Sequence, residues 1–385
     1  MWLGACTSTI GTWMQKAAQS WLVYSLSNSK FLLSLDSFLG EIPILLLSLF
    51  GGVASDRFDR RKLLMASQFG QMTTALILAV LFATGKVQIW HILLLSFFTG
   101  CVQAFGGPAY QALLPMMVPK EAIQNAIAMN SIQFNIARLI GPALGGLALT
   151  QLGAAWCFGL NGLSFLAVIF ALSMMSPKFG GGNAQESVLA SMRKGVDFVR
   201  HREGMGALIV IAFAMTALGL PMMVFLPVVA KEVFQQTATG FTIMLSVSGA
   251  GSIVGGLLVA YFSQLRHKGR AALANLALLG LLIALFGLST NIWLSYAAIF
   301  FASTALIASF ALIASLVQNQ TTDDMRGRVM SVYNVAFRGG GPIGALLCGE
   351  LAELSSTAHV LAGCGILLAL LALWFLFVHR RVAAL

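Results

Sequence analysis

Long uncharged apolar runs, separated by short and mostly basic connections, organise this chain from end to end. A helix crossing the hydrocarbon of a bilayer needs about 20 largely apolar residues. Leu63–Gly85, Gly204–Ala230 and Leu354–His379 each supply one such span, and Val87–Pro119 and Val233–Leu265 each supply one with interfacial residues. Leu139–Pro177 is punctuated at Gln151-Leu152-Gly153, so it reads as the end of one helix and all of the next. Ala271–Thr322 breaks into two spans at Ser289-Thr290-Asn291. With a polar first span at Trp2–Leu26, a second at Phe31–Ala54 and another before Glu350, the pattern predicts an all-α membrane protein of twelve transmembrane helices.

Composition narrows the reading. Of 385 residues, 58% are hydrophobic and 9% charged, whereas a soluble domain carries about 25% charged residues to cover its surface. A water-soluble globule is excluded. The 39 glycines suit close helix contact in lipid. The net charge of +10 would fit nucleic acid only on a soluble fold with a basic face, so the bilayer, not nucleic acid, is the expected partner. Seventeen of the 23 Lys and Arg residues, from Arg57 to Arg381, fall on one side of the predicted spans, against Lys30, Lys86 and Lys231 on the other. Such asymmetry predicts that both termini are cytoplasmic. The first apolar stretch starts at Met1 without a basic lead-in, so no cleavable signal is read there and the N-terminus reads as trimmed.

Little supports catalysis or metal binding. Cys6, Cys101, Cys157, Cys348 and Cys364 are scattered singly with no CxxC pair, which reads as small apolar packing. The histidines 91, 201, 267, 359 and 379 are isolated, and there is no HExxH motif and no GxSxG with partners. No catalytic residue, metal or cofactor is expected, and the chain is not read as an enzyme.

The two halves resemble each other. Ser131, Arg138, Gly141 and Pro142 recur as Ser331, Arg338, Gly341 and Pro342, an offset of 200 residues. Ile89-Trp90 with Phe97-Phe98 recurs as Ile292-Trp293 with Phe300-Phe301, an offset of 203. Six spans repeated in one orientation form the parallel repeat of a two-bundle transporter. The expected divisions are residues 1–176 and 204–385, two six-helix bundles, joined by a cytoplasmic linker at 177–203. That linker holds Gly180-Gly181-Gly182 and then Val188, Met192, Val196 and Val199 opposite Arg193, Lys194 and Arg200, a helix suited to lie along the interface.

The loop after the second span reads Gly52-Val-Ala-Ser-Asp56-Arg57-Phe-Asp59-Arg60-Arg61. It is similar to the G-x-x-x-D-R/K-x-G-R-R/K signature of the major facilitator superfamily, with Asp59 where that pattern has its second Gly. Gly141-Pro142-Ala-Leu-Gly145-Gly146 resembles the superfamily's antiporter motif, although Ala137 replaces an upstream Gly. Across essentially the whole chain the likeness is to the branch of bacterial macrolide, enterobactin-type siderophore and multidrug exporters. That resemblance implies a monomeric, proton-coupled antiporter in the bacterial inner membrane, exporting bulky amphipathic molecules with the proton gradient as its energy source. A lysophospholipid flippase or facilitator of the same superfamily is the alternative. The resemblance also implies that Asp56 faces the start of the eleventh helix near Gly327, a latch formed in one state of the cycle. Arg57, Arg60 and Arg61 could instead serve topology alone. Gly141, Pro142, Gly145 and Gly146 could seal one face or simply let helices approach.

Ionisable groups inside the membrane cost at least about 2.5–3.5 kcal/mol each on insertion scales. Lys16, Asp36, Glu41, Arg138, Arg338 and Glu350 stand out. Glu41 lies eleven residues before Gly52, about 16 Å along a helix and so near mid-membrane. It is the first candidate for proton coupling, with Asp36 further out; equally, Glu41 could be a permanent partner of Lys16 or Arg138. Arg138 and Arg338, matched in the repeat, could bind an anionic substrate or bond neighbouring polar groups. Thr12, Gln15 and Gln19 form a polar stripe on the first span beside Lys16, and Gln103 and Asn135 are expected to join them around a water-filled cavity.

Overall fold

The computed structural model describes residues 1–175, 188–261, 267–379 and 381–385. Pro177, Lys178, the glycines 180–182, Arg266 and Arg380, and the side chain of Val188, lie outside the described residues. All regular structure among the described residues is helical. The first six helices are α1 (Trp2–Ser27), α2 (Lys30–Arg57), α3 (Arg60–Ala83), α4 (Ile89–Leu113), α5 (Ile123–Gln151) and α6 (Ala154–Ser173). Then follow the shorter α7 (Val188–His201), α8 (Met205–Gly219), α9 (Ala238–Tyr261), α10 (Lys268–Leu288), α11 (Ile292–Asn319), α12 (Arg326–Leu354) and α13 (Thr357–Phe377).

Local chemistry sets the helix ends. Asn28 closes α1 in the left-handed region at φ 50°, and Ser29 opens α2 by accepting from the Leu32 amide. Asn291 and Ser356 cap α11 and α13 in the same way, each meeting amides that the helix cannot satisfy itself. The run from α8 onward is the single span expected, Met205–Val233, but it is not one regular helix. Pro221 and Pro227 cannot donate, so the chain continues as short turns at Pro221–Val224 and Leu226–Val228 and a π-turn at Val229–Val233.

Ten helices among the described residues are long and apolar enough to cross a membrane. The two further long ones, α1 and α12, have the length but carry the polar stripe of α1 and Arg326, Arg328, Arg338 and Glu350 of α12. Together they make the twelve spans of the fold. Most spans are apolar on every side, and bulky groups such as Phe170, Leu281 and Leu367 are exposed, the pattern of helices solvated by lipid.

The chain forms two compact units: Met1–Gln185 with Gln236–Ser246, and Glu186–Gln235 with Val247–Leu385. In the first, α1 packs on α5 and α6, α3 on α4 and α6, and α2 on α4. In the second, α8 packs on α12 and α13, and α10 on α11 and α13, while Gly251 and Gly255 of α9 press on the Phe300 and Thr304 carbonyls of α11. The same order of contacts recurs six spans later, which is the repeat read in the sequence. The linker helix α7 belongs to the second unit and packs on α12.

Candidate functional site

The polar stripe of α1 faces a cavity of about 180 Å³ inside the first unit. Thr12, Gln15, Lys16 and Gln19 line it from α1, Asp36 and Glu41 from α2, and Gln103 from α4. Seven of the residues singled out in the sequence therefore share one chamber. Lys16 and Glu41 form an ion pair, Nζ to Oε1 at 3.3 Å, with half-exposed side chains (51% and 43%).

Asp36 is in a different setting. It is only 8% exposed. Gln19 Nε2 donates to both of its carboxylate oxygens at 3.0 Å, and Ser96 Oγ donates to Oδ1 at 2.5 Å. Gln19 Nε2 also reaches Ser96 Oγ at 2.8 Å. Every contact to the carboxylate comes from a donor, the arrangement an ionised group requires. Adding a proton would oblige one of these partners to turn or leave. The knot ties α1, α2 and α4 together at one point.

Several residues that the sequence did not single out complete the wall. Asn161 Nδ2 donates to Gln15 Oε1 at 2.6 Å, and the Thr74 and Thr99 hydroxyls lie 3.0 Å apart. Gln71 donates to Ser67 Oγ at 3.2 Å. The signal for them was available: polar groups in the middle of apolar spans need partners at the same depth.

Asn135, Arg138 and Arg338 are not in the chamber. Asn135 Nδ2 donates to the Ser131 carbonyl of its own helix at 2.8 Å. The Arg138 guanidinium lies over the Trp13 ring at 5.9 Å, and Lys16 reaches the same ring at 5.9 Å. Trp13 meets Phe134 edge-on. Trp21 stacks on Phe241 at 5.8 Å, within the first unit. Arg338, its repeat partner on α12, is exposed in the second unit.

The loop motif is held within the first unit. Arg60 Nη2 meets Asp56 Oδ1 at 3.4 Å, and its Nε donates to the Ser55 carbonyl at 3.1 Å. Arg61 donates to the Met175 and Ser173 carbonyls at 2.6 and 3.0 Å, clamping the end of α6. Asp59, the departure from the signature, caps α3: its Oδ1 accepts from the amides of Arg61 and Lys62 at 2.9 and 3.2 Å. Arg57 forms the last turn of α2, and Gly52 has open space where a side chain would be.

The helix-packing motif explains its glycines directly. A Cβ at Gly141 would meet the Ile10 carbonyl at 3.0 Å, and one at Gly145 the Met14 carbonyl at 2.8 Å. Gly146 abuts the Thr242 side chain. In the second unit Gly340 and Gly344 lie still closer to the Phe213 and Ala217 carbonyls of α8. The helix α5 runs through Pro142 unbroken, so here the proline packs rather than ends the helix. One reading from the sequence needs correction: the cysteines are not all solitary, because Cys348 and Cys364 meet across α12 and α13 with sulfurs 3.4 Å apart. Helical return over 16 residues, through the turn between the two helices, brings them together.

Two six-helix units on one packing plan, with a polar chamber buried among otherwise apolar spans, define a secondary transporter of the major facilitator superfamily. The family described as transmembrane secretion effector matches residues 1–384, and the chain belongs to it. It is similar to the staphyloferrin A transporter of Staphylococcus aureus (strain NCTC 8325 / PS 47), 25% identical over 382 residues, 97% of this chain and 94% of that one. It is also similar to macrolide efflux protein A of Streptococcus pyogenes, 21% identical over 93% of this chain and 90% of that one. The enterobactin exporter EntS of Escherichia coli O139:H28 (strain E24377A / ETEC) is 25% identical over 79% of this chain and 73% of its own. Among solved structures, the nucleoside transporter NupG shares the fold with a TM-score of 0.74 at 14% identity, covering 97% of this chain and 98% of that one. A bacterial homologue of the human lysosomal transporter Spinster does so with a TM-score of 0.75 at 12% identity, covering 99% and 96%. The chain is a multi-pass membrane transporter.

Proposed function

We propose that this transporter exports bulky amphipathic small molecules from the cytoplasm across the bacterial inner membrane, in exchange for protons and by alternating access. Both termini are cytoplasmic in this reading, and the working unit is a monomer. Export is supported by the relatives, several of which are named for efflux. Proton exchange is supported by one observation above the rest: a shielded carboxylate, Asp36, inside a polar chamber, bound by donors from two other helices.

Asp36 is the proton carrier of this mechanism. Ionised, it holds Gln19 and Ser96 and so fixes α1 and α4 against α2. Once protonated it accepts fewer hydrogen bonds, Gln19 is released, and the helices can shift relative to one another. Lys16 and Glu41, paired at 3.3 Å and open to the chamber, exchange partners with polar groups of the substrate. Asp56 acts in the same cycle as the latch carboxylate.

Everted vesicles holding the protein and a proton gradient test the reading. Macrolides, catecholate siderophores and cationic dyes, added in turn, should each be scored for proton leak. Leak triggered by at least one class supports antiport. Uptake of lysolipid without proton movement would instead favour the flippase reading.

A further inference from the structure

The linker helix α7 is seated by contact. A Cβ at Gly195 would meet the Arg328 carbonyl at 2.6 Å, so α7 and α12 touch backbone to backbone, and Val199 is buried beneath. That seat turns Lys194, Asp197, His201 and Arg202 outward. With Phe198 and Met325 they line a cavity of about 470 Å³ in the second unit.

Chain connection sets its depth. Arg202 lies three residues before Met205, where α8 begins its apolar run, and Met325 immediately precedes α12. The cavity therefore sits where spanning helices leave the hydrocarbon, at the level of lipid headgroups. Its charge is uneven. Asp197 is engaged with His201, Oδ1 to Nδ1 at 3.5 Å. Arg202 has no ion-pair partner among the described residues.

We infer that this cavity binds the phosphodiester headgroup of an anionic phospholipid. Arg202 and Lys194 meet the phosphate, and Phe198 and Met325 meet the first methylenes of the acyl chains. Topology alone asks only for basic residues somewhere in the connection. It asks neither for a helix seated through Gly195 nor for two cations around a cavity with an apolar wall. That wall, at headgroup depth, favours a lipid over a soluble anion. A bound lipid would bridge α7 and the start of α12.

Native mass spectrometry of the full chain in detergent, with phosphatidylglycerol or phosphatidylcholine of matched chains, tests this. The wild type should retain phosphatidylglycerol in preference to phosphatidylcholine. Each neutralised cation near an anionic headgroup should weaken retention roughly fivefold, so Lys194→Gln with Arg202→Gln should weaken it about 25-fold. All four basic residues of the two test pairs are exposed, so both variants should melt as the wild type does. Arg193→Gln with Arg200→Gln removes equal charge from the same linker segment outside the cavity and should change retention less than about twofold. Equal losses from the two pairs, or equal retention of phosphatidylcholine, would overturn the site. Displacement of phosphatidylglycerol by sn-glycerol 3-phosphate would overturn the lipid in favour of a soluble anion.

Discussion

In the first unit α1, α2 and α4 meet around Lys16, Asp36 and Glu41; in the second, the corresponding α8, α9 and α11 meet around hydroxyls and glycines. Ser303 Oγ donates to Ser248 Oγ at 2.9 Å, and Thr304 Oγ1 donates to the Gly251 carbonyl at 2.9 Å. Ser96, Thr99 and Gln103 of α4 have Ile299, Ala302 and Leu306 at the 203-residue offset, all three buried. No charged residue occurs anywhere in α8. One packing plan thus carries two interiors, one lined by charged groups and one by hydroxyls, glycines and apolar side chains. Among the described residues of the second unit, six helices hold together in this arrangement without a buried ion. Placing ions in the first, at a cost of several kcal/mol, is therefore not a requirement of the fold.

The comparison is open to attack at its strongest point first. Asp36→Asn should lower proton-coupled transport roughly 100-fold, the scale of losing a positioned proton-transfer group, while substrate binding measured by fluorescence titration persists. Glu41→Gln should cost less, because the pair it breaks is half-exposed.

Backbone packing is where the two units should behave alike. Gly51 lies against the Ala104 carbonyl, and Gly251 against that of Phe300. Gly51→Val and Gly251→Val should each destabilise their unit by about 1–3 kcal/mol or more, seen as a lower Tm in detergent. Gly52→Val, one residue along with open space around it, should leave Tm nearly unchanged. Equal effects at 51 and 52 would refute the close approach of α2 and α4.

Smaller effects sharpen the picture. Asp59→Ala removes the cap of α3 and should cost about 1 kcal/mol, whereas Asp59→Gly should cost only a few tenths. At the matched arginines, Arg138→Gln, at a partly buried site, loses its place over Trp13, worth about 1–2 kcal/mol. Arg338→Gln, exposed in the second unit, should change stability by less than about 0.5 kcal/mol. Matching losses would mean that the repeat keeps the two arginines for one purpose.

Much of the fold was legible, because lipid imposes one rule on the whole chain: spans of about 20 apolar residues with charge gathered between them. The breaks at Gln151-Leu152-Gly153 and Ser289-Thr290-Asn291 follow from it, as does the repeat. The span at Gly204–Ala230 was legible, but its irregular course after Gly219 was not, although Pro221 and Pro227 signal it, because hydropathy does not register a lost backbone donor. In the chamber, the stripe of α1 was legible since its period is that of one helix. The relative standing of Asp36 and Glu41 was not. Depth along α2 placed Glu41 nearest mid-membrane, but shielding is decided by what the neighbouring helices present. Lys16 sits opposite Glu41, whereas Gln19 and Ser96 enclose Asp36, and Ser96 comes from a helix 60 residues away. The Cys348 and Cys364 contact was hidden for the same reason, since it depends on how α12 and α13 return against each other.

The most direct test measures substrate-triggered proton efflux in everted vesicles for the wild type, Asp36→Asn and Glu41→Gln side by side. The account predicts efflux for the wild type, a reduced but measurable signal for Glu41→Gln, and none for Asp36→Asn although that variant still binds substrate. Wild-type efflux from Asp36→Asn, with loss confined to Glu41→Gln, would contradict it and move the proton to the open ion pair.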